Sequence, residues 1–235
     1  MRQIVLDTET TGRDARDGDR VVEIGCWELI NRRPGKQYHV YLNPDRDSHP
    51  DALKVHGLTT QFLSGQPRFP DVVDGFLDFV QDAELVIHNA AFDVGFLDAE
   101  LERCGPAYGR LTDHVGGVLD TYKMARELYP GQRASLDALC RRLGVDNSGR
   151  ELHGALLDAG LLLDVYLAMT SGQYDLGFDE LAAARTPTAS TLTRTIVRDV
   201  RVVRASATER ASHRERMAAI EKASGRSLWP DDAVM

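Results

Sequence analysis

Two carboxylates stand two residues apart at the end of an apolar run, Ile4-Val5-Leu6-Asp7-Thr8-Glu9, which leads into Thr10-Thr11-Gly12. On a strand, positions i and i+2 share a face, so Asp7 and Glu9 project side by side. Like charges so placed repel one another, and their hard oxygen donors suit Mg²⁺ or Mn²⁺. Asp93 falls in the first turn of a helical stretch after the apolar run Leu85-Val86-Ile87. A carboxylate complements a helix N-terminus there, and α/β sheets place ligand sites at such strand ends. His153 and Asp158 complete the set. At a separation of five on one helix they would lie about 140° apart. For both to reach one cavity, the helix has to begin just after His153, and Gly154 eases that turn. Each of these residues alone has an ordinary structural reading, as a solvated strand end, a helix-stabilising acid or a surface side chain. Together they call for a common site.

The elements that must position them follow from periodicity and turn chemistry. Residues 2–7 are predicted as a buried strand, and 21–30 and 37–42 as two more, joined by a turn at Arg33-Pro34-Gly35. Short helices are expected over 51–55 and 59–63, on either side of His56-Gly57. A longer helix over 71–80 carries Val72, Val73, Phe76, Leu77 and Val80 at helical spacing. Residues 85–87 and 118–119 read as short strands, and helices are predicted over 91–104, 122–128, 135–143 and 154–169. Asp120, at the exit of the last strand, reads as a helix cap or as a neighbour of the site. Three strands and then strand–helix alternation indicate an α/β domain with a mixed sheet, complete near Thr170.

Composition narrows the class. The chain has 235 residues, 43% of them hydrophobic and 27% charged, as in an ordinary globular protein. No apolar run approaches membrane-spanning length, and no basic stretch precedes a hydrophobic one near Met1. A cytoplasmic protein is therefore expected. Cys26, Cys104 and Cys140 are odd in number and unpaired in spacing, as for thiols in a reducing compartment. The net charge of −8 is unlike a free-standing nucleic-acid binder, so weak intrinsic DNA affinity is expected.

The segments LDTETTG, HNAAFDVGF and HGALLDA, in this order and at these intervals, resemble the three motifs of the DEDDh 3′–5′ exonuclease family. The likeness covers roughly the first 170 residues, and none of the five active positions departs from the pattern. It implies a ribonuclease H-like mixed sheet flanked by helices, with two divalent cations, Mg²⁺ or Mn²⁺, about 3.5–4 Å apart. By this resemblance Asp7 bridges both cations, Glu9 and Asp158 join the first, and Asp93 serves the second through water. His153 is the implied general base, histidine being the side-chain type that exchanges protons nearest neutrality. Thr10, by its position after Glu9, is expected to offer its backbone amide or its hydroxyl to the terminal nucleotide's 3′-OH. His56 and Leu58, within Val55-His56-Gly57-Leu58, are implied to pack on the terminal base of a single-stranded or frayed DNA 3′ end.

Four segments result: an exonuclease domain over 1–172, a peptide over 173–178, a flexible tether over 179–195 and a terminal segment over 196–235. Gln173, Leu176 and Phe178 are spaced like the short peptides with which bacterial replication proteins bind the sliding clamp. The tether is rich in Ala, Thr and Arg without an apolar period. Residues 196–203 are too β-branched for a free linker, and Ser206-Ala207-Thr208-Glu209 has capping-box form, opening a polar helix that stops near Gly225. Met217, Ile220, Leu228 and Trp229 resemble the polymerase-binding end of the proofreading subunits of bacterial replicases, and an exposed Leu-Trp implies a partner pocket. A tether of about 15 residues raises the local concentration of a linked domain, which offsets poor DNA affinity. The expected activity is removal of mispaired 3′-terminal nucleotides as nucleoside 5′-monophosphates. An RNA-processing exonuclease of the same family remains open, because the five active residues do not separate DNA from RNA. A non-catalytic adaptor between clamp and polymerase is the rival from another class.

Overall fold

The computed structural model describes residues 1–149, 152–171 and 205–225, and the chain divides into two compact units, Met1–Tyr174 and Asp175–Met235. In the first unit, five strands form one sheet in the order β3-β2-β1-β4-β5. They are β1 (Arg2–Thr10), β2 (Val21–Ile30), β3 (Arg33–Tyr41), β4 (Glu84–Ile87) and β5 (Gly117–Asp120). β1 pairs antiparallel with β2 and parallel with β4. β2 pairs antiparallel with β3, and β4 parallel with β5. The central strand is therefore the one that carries Asp7 and Glu9.

β1 continues to Thr10, beyond the predicted end at residue 7. Its polar end is held by the ladder with β2, in which Asp7 faces Gly25, Thr8 faces Ile24 and Glu9 faces Glu23. A second difference concerns the hairpin. The turn lies at Asn31-Arg32, both with positive φ (49° and 65°), and β3 already starts at Arg33. A two-residue hairpin loop of this kind needs left-handed backbone at both positions, which Asn tolerates. Pro34, expected in the turn, instead sits on an edge strand, where its missing N–H costs no ladder bond.

Both faces of the sheet are covered, which a parallel-containing sheet requires. Helices α1 (Pro50–His56), α2 (Thr60–Leu63), α3 (Phe69–Val80) and α4 (Ala90–Cys104) precede β5, and α5 (Thr121–Leu128), α6 (Leu136–Leu143) and α7 (Ala155–Met169) follow it. Ile4 and Leu6 of β1 join a core with Phe76 of α3 and Leu97 and Leu101 of α4. Val5, on the opposite side of the pleat, joins Leu162, Leu163 and Tyr166 of α7. α3 buries Phe69, Val73, Phe76, Leu77 and Val80, the one-sided stripe of an amphipathic helix. α7 is different. Leu162 and Leu163 meet the sheet, while Leu161 and Val165 meet Leu139 and Cys140 of α6, so the helix is buried on more than one side. Each such aliphatic side chain contributes about 1.5–3 kcal/mol through burial.

In the second unit, the helix Ala207–Ser224 opens with the expected capping box. The Glu209 N–H donates to Ser206 Oγ at 3.2 Å, and the Ser206 N–H to Glu209 Oε2 at 2.7 Å. Gly225 closes it with φ 69°. Along residues 207–223 the side chains are exposed except Met217 and Ile220, which are half-buried. Gln173, Leu176 and Phe178, the expected tether, residues 196–203, and Leu228 and Trp229 lie outside the described residues. Among the described residues, no helix is long and apolar enough to cross a membrane.

Candidate active site

The alternation of β1 sends its acids one way and its threonine the other. Val5, Asp7 and Glu9 share the face that meets α7, whereas Ile4, Leu6 and Thr8 share the face that meets α3 and α4. α7 begins at Ala155 with Gly154 as its cap, so His153 lies on the loop before it and Asp158 in its first turn. That is the arrangement the 140° argument requires. His153 Nδ1 lies 3.2 Å from Asp158 Oδ2. Ligand atoms of Glu9, His153 and Asp158 all fall within 4.8 Å of one another. Two hard carboxylates and an imidazole at that spacing form a donor set able to hold a divalent cation, with Asp7 two residues earlier on the same face.

This approach depends on Gly25, which faces Asp7 across the ladder. A Cβ at Gly25 would lie 2.2 Å from the backbone of Ala155 and Leu156. Only a residue without a side chain lets the first turn of α7, and Asp158 with it, come down beside β1. Glu23, opposite Glu9, is a further buried acid whose Oε1 meets His39 Nε2 at 2.7 Å.

Asp93 sits on the other face. It is 3% exposed, and its Oδ1 accepts from the Thr8 N–H at 3.1 Å and the Thr8 hydroxyl at 2.7 Å. Burial pushes its carboxyl up to about 7, against the lowering effect of the two Thr8 bonds. Thr8, lying between the two motif acids, is thus the residue that holds the third. The strand-to-helix corner before Asp93 is set by Asp120. This side chain caps α5 by accepting from the Tyr122 and Lys123 N–H groups, and it also accepts from the Asn89 N–H at 3.2 Å. Both readings of Asp120 therefore describe one side chain.

A cleft of about 750 Å³ opens beside these groups, lined among others by Glu9, Thr10, His49, Val55, His56 and Phe92. The Thr10 hydroxyl is committed to the Gly12 carbonyl at 2.6 Å, so its single proton holds the turn. His56 is buried, and its Nδ1 accepts from the Leu58 N–H at 2.9 Å. That bond places the ring proton on Nε2, which has no hydrogen-bond partner among the described residues. Burial also lowers the His56 pKa, which favours the neutral ring. Leu58, expected against a base, contributes that backbone N–H and does not line the cleft. Sequence reasoning missed Thr8, Gly25 and Glu23. Thr8 had a local signal, since it lies inside the first motif on the opposite side of the pleat. Gly25 and Glu23 act only through the β1–β2 register.

Residues 4–166 match the Exonuclease family (RNase_T). The DNA polymerase III subunit epsilon of Salmonella typhimurium is 48% identical over 239 residues, covering 97% of each chain. That of Haemophilus influenzae is 55% identical over 184 residues, 76% of this chain and 71% of that one. Among solved structures, exonuclease X in complex with 5′-overhanging duplex DNA is 26% identical with a TM-score of 0.53, covering 72% of this chain and 93% of that one. The five-stranded mixed sheet is the ribonuclease H-like exonuclease fold. The chain belongs to the Exonuclease family, among the DNA polymerase III epsilon subunits.

Proposed function

We propose that this exonuclease is the 3′–5′ proofreading subunit of a bacterial replicative DNA polymerase, removing mispaired 3′-terminal nucleotides as nucleoside 5′-monophosphates. The observation that carries the reading is the convergence of Glu9, His153 and Asp158, from a central strand, a loop and a helix, within 4.8 Å. The family resemblance of all five active positions and the epsilon-subunit relatives support it. Asp7, Glu9, Asp93 and Asp158 would hold two divalent cations, Mg²⁺ or Mn²⁺, which when bound supply charge neutralisation at the scissile phosphate and make the attacking water more acidic. His153 is the general base. With its Nδ1–H directed at Asp158, its Nε2 is the nitrogen that takes the water proton. The cleft receives the terminal nucleotide, and the His56 Nε2–H offers it a donor held in place by the Leu58 N–H.

Selectivity for mispairs follows from fraying, because an unpaired end enters a single-strand site at lower cost. The acidic charge leaves little DNA affinity, and attachment to polymerase and clamp supplies the local concentration instead. We assign those contacts to Gln173, Leu176 and Phe178 for the clamp, and to Met217, Ile220, Leu228 and Trp229 for the polymerase. A bacterial replicase places the protein in the cytoplasm.

The test is digestion of a mispaired primer–template and of an RNA of the same sequence, with Mg²⁺ or EDTA. Wild type, Asp7→Ala and His153→Ala are compared. Metal-dependent trimming of DNA is expected, lost in Asp7→Ala and reduced about 10²–10⁴-fold in His153→Ala, with RNA slower. Preference for RNA would make this an RNA-processing enzyme, and no nuclease activity on either substrate would leave an adaptor. Trp229→Ala is expected to weaken capture of the polymerase subunit without changing the exonuclease rate.

A further inference from the structure

The loop that carries His153 is fastened to α1 at two points. The His153 N–H donates to the Val55 carbonyl at 3.0 Å. Val55 lies in the last turn of α1, where carbonyls have no partner inside the helix, so the loop supplies a bond that the helix end lacks. Beside it, the Leu152 side chain lies against Gly57, the residue that closes α1. A Cβ at Gly57 would come within 2.7 Å of Leu152 Cδ1. Gly57 also has φ +72°, a backbone conformation that favours glycine, and a side chain there would crowd the leucine. Leu152 is nevertheless 52% exposed. A leucine left half in water is a weak contributor to folding, yet this one touches a specific backbone site next to the proposed base.

The same turn faces the substrate cleft. Val55 and His56 line it, and the His56 ring is fixed by the Leu58 N–H just past Gly57. One turn of helix thus joins the wall of the nucleotide cleft to the loop of the base.

We propose that the last turn of α1, Val55 to Gly57, is the seat that positions His153, with Leu152 as the side chain that anchors it. Placement of the base is then coupled to the wall that contacts the terminal nucleotide. The proposal rests on the reading of His153 as general base. Leu152 is a positioning residue, since it acts on His153 and touches no reacting atom.

A double-mutant cycle on the full chain tests it, using trimming of a single-stranded oligonucleotide with Mg²⁺. Leu152→Ala is expected to lower kcat about 10–100-fold, the scale of an approximately 1 Å misplacement. KM should stay within about twofold, as expected when only transition-state placement is lost. In a His153→Ala background the same change should cost nothing further, because there is no base left to misplace. Leu152→Met, which keeps apolar bulk, should restore most of the rate. Thermal unfolding of each variant separates misplacement from unfolding. An unchanged kcat in Leu152→Ala, or an equal loss in both backgrounds, would overturn the seat while leaving the base assignment intact. Undiminished activity in His153→Ala alone would instead remove the base, and the seat with it.

Discussion

The two faces of β1 hold their carboxylates by opposite means. On the α7 side, Asp7 and Glu9 are half-exposed and Asp158 comes down beside them with His153. Asp158 is as buried as Asp93, each 3% exposed, so on this side it is Asp7 and Glu9 that remain open to water, where cations can enter. On the α4 side, a single carboxylate, Asp93, is removed from water and held by both donors of Thr8. Desolvation disfavours its charged form, so nearby positive charge would favour its ionisation. In the proposed two-cation site, the acids of the α7 side would attract the cations, and Asp93 on the other side would ionise more readily once they are bound.

The largest effect is expected where the α7 side is assembled. Gly25→Val places carbon within 2.2 Å of the α7 backbone, which no rotamer change relieves. We expect destabilisation at or above the approximately 1–3 kcal/mol of ordinary overpacking, and activity reduced at least about 100-fold because Asp158 is displaced. Thermal unfolding and oligonucleotide trimming measure the two effects. A variant that keeps wild-type activity would show that α7 need not approach β1 this closely.

Gly25 also marks where reading from sequence stops. The start of α7 was legible because two functional side chains on one helix must obey its 100° rotation, and Gly154 stood where the turn was needed. The C-terminal helix was legible too, since Ser206, Glu209 and Gly225 are local signals that need no tertiary partner. α3 declared itself through its apolar stripe. The importance of Gly25 depends on strand register and on a helix more than a hundred residues later. A glycine in an apolar strand reads locally as a weak point or a bulge. The hairpin turn was misplaced for a related reason. Pro34-Gly35 is a strong turn signal, but Asn31-Arg32 supplies the left-handed pair that strand twist favours, and the Pro-Gly pair is absorbed by an edge strand. The proposed clamp and polymerase contacts, apart from Met217 and Ile220, lie outside the described residues.

On the α4 side, the next effect in size comes from Thr8→Val. It preserves shape, keeps the backbone N–H bond to Asp93, and removes only the hydroxyl at 2.7 Å. A hydrogen bond to a charged group contributes about 1.5–3 kcal/mol. We expect kcat to fall about tenfold with KM nearly unchanged, and Thr8→Ser to recover most of the loss. Equal activity of Val and Ser variants would mean that the backbone N–H alone fixes Asp93.

The smallest effect is one of stability, and it concerns Asp93 on the α4 side. The Asp93 carboxyl is raised from 3.8 to about 7 in the folded protein. Its contribution is therefore fully present below the unfolded value, near pH 4, and is lost as pH rises through 7. His56 and His88 run the other way. Burial lowers both from 6.5, so their contribution is present above pH 6.5 and declines as pH falls towards their folded values. In EDTA the two effects oppose each other, and a single melting curve against pH would obscure both. The difference between wild type and Asp93→Asn isolates the carboxylate, because the histidines are common to the two proteins and the asparagine can still accept from Thr8. We expect Asp93→Asn to melt higher than wild type at pH 8 without metal, by about 2–4 °C for each kcal/mol of charge burial relieved, and the gap to close as pH falls towards 4. Adding Mg²⁺ at pH 8 should reverse the order, since cations stabilise the carboxylate and not the amide. A gap that does not change with pH would show that Asp93 is held ionised by its Thr8 bonds alone, and the contrast between the two faces would reduce to one of exposure.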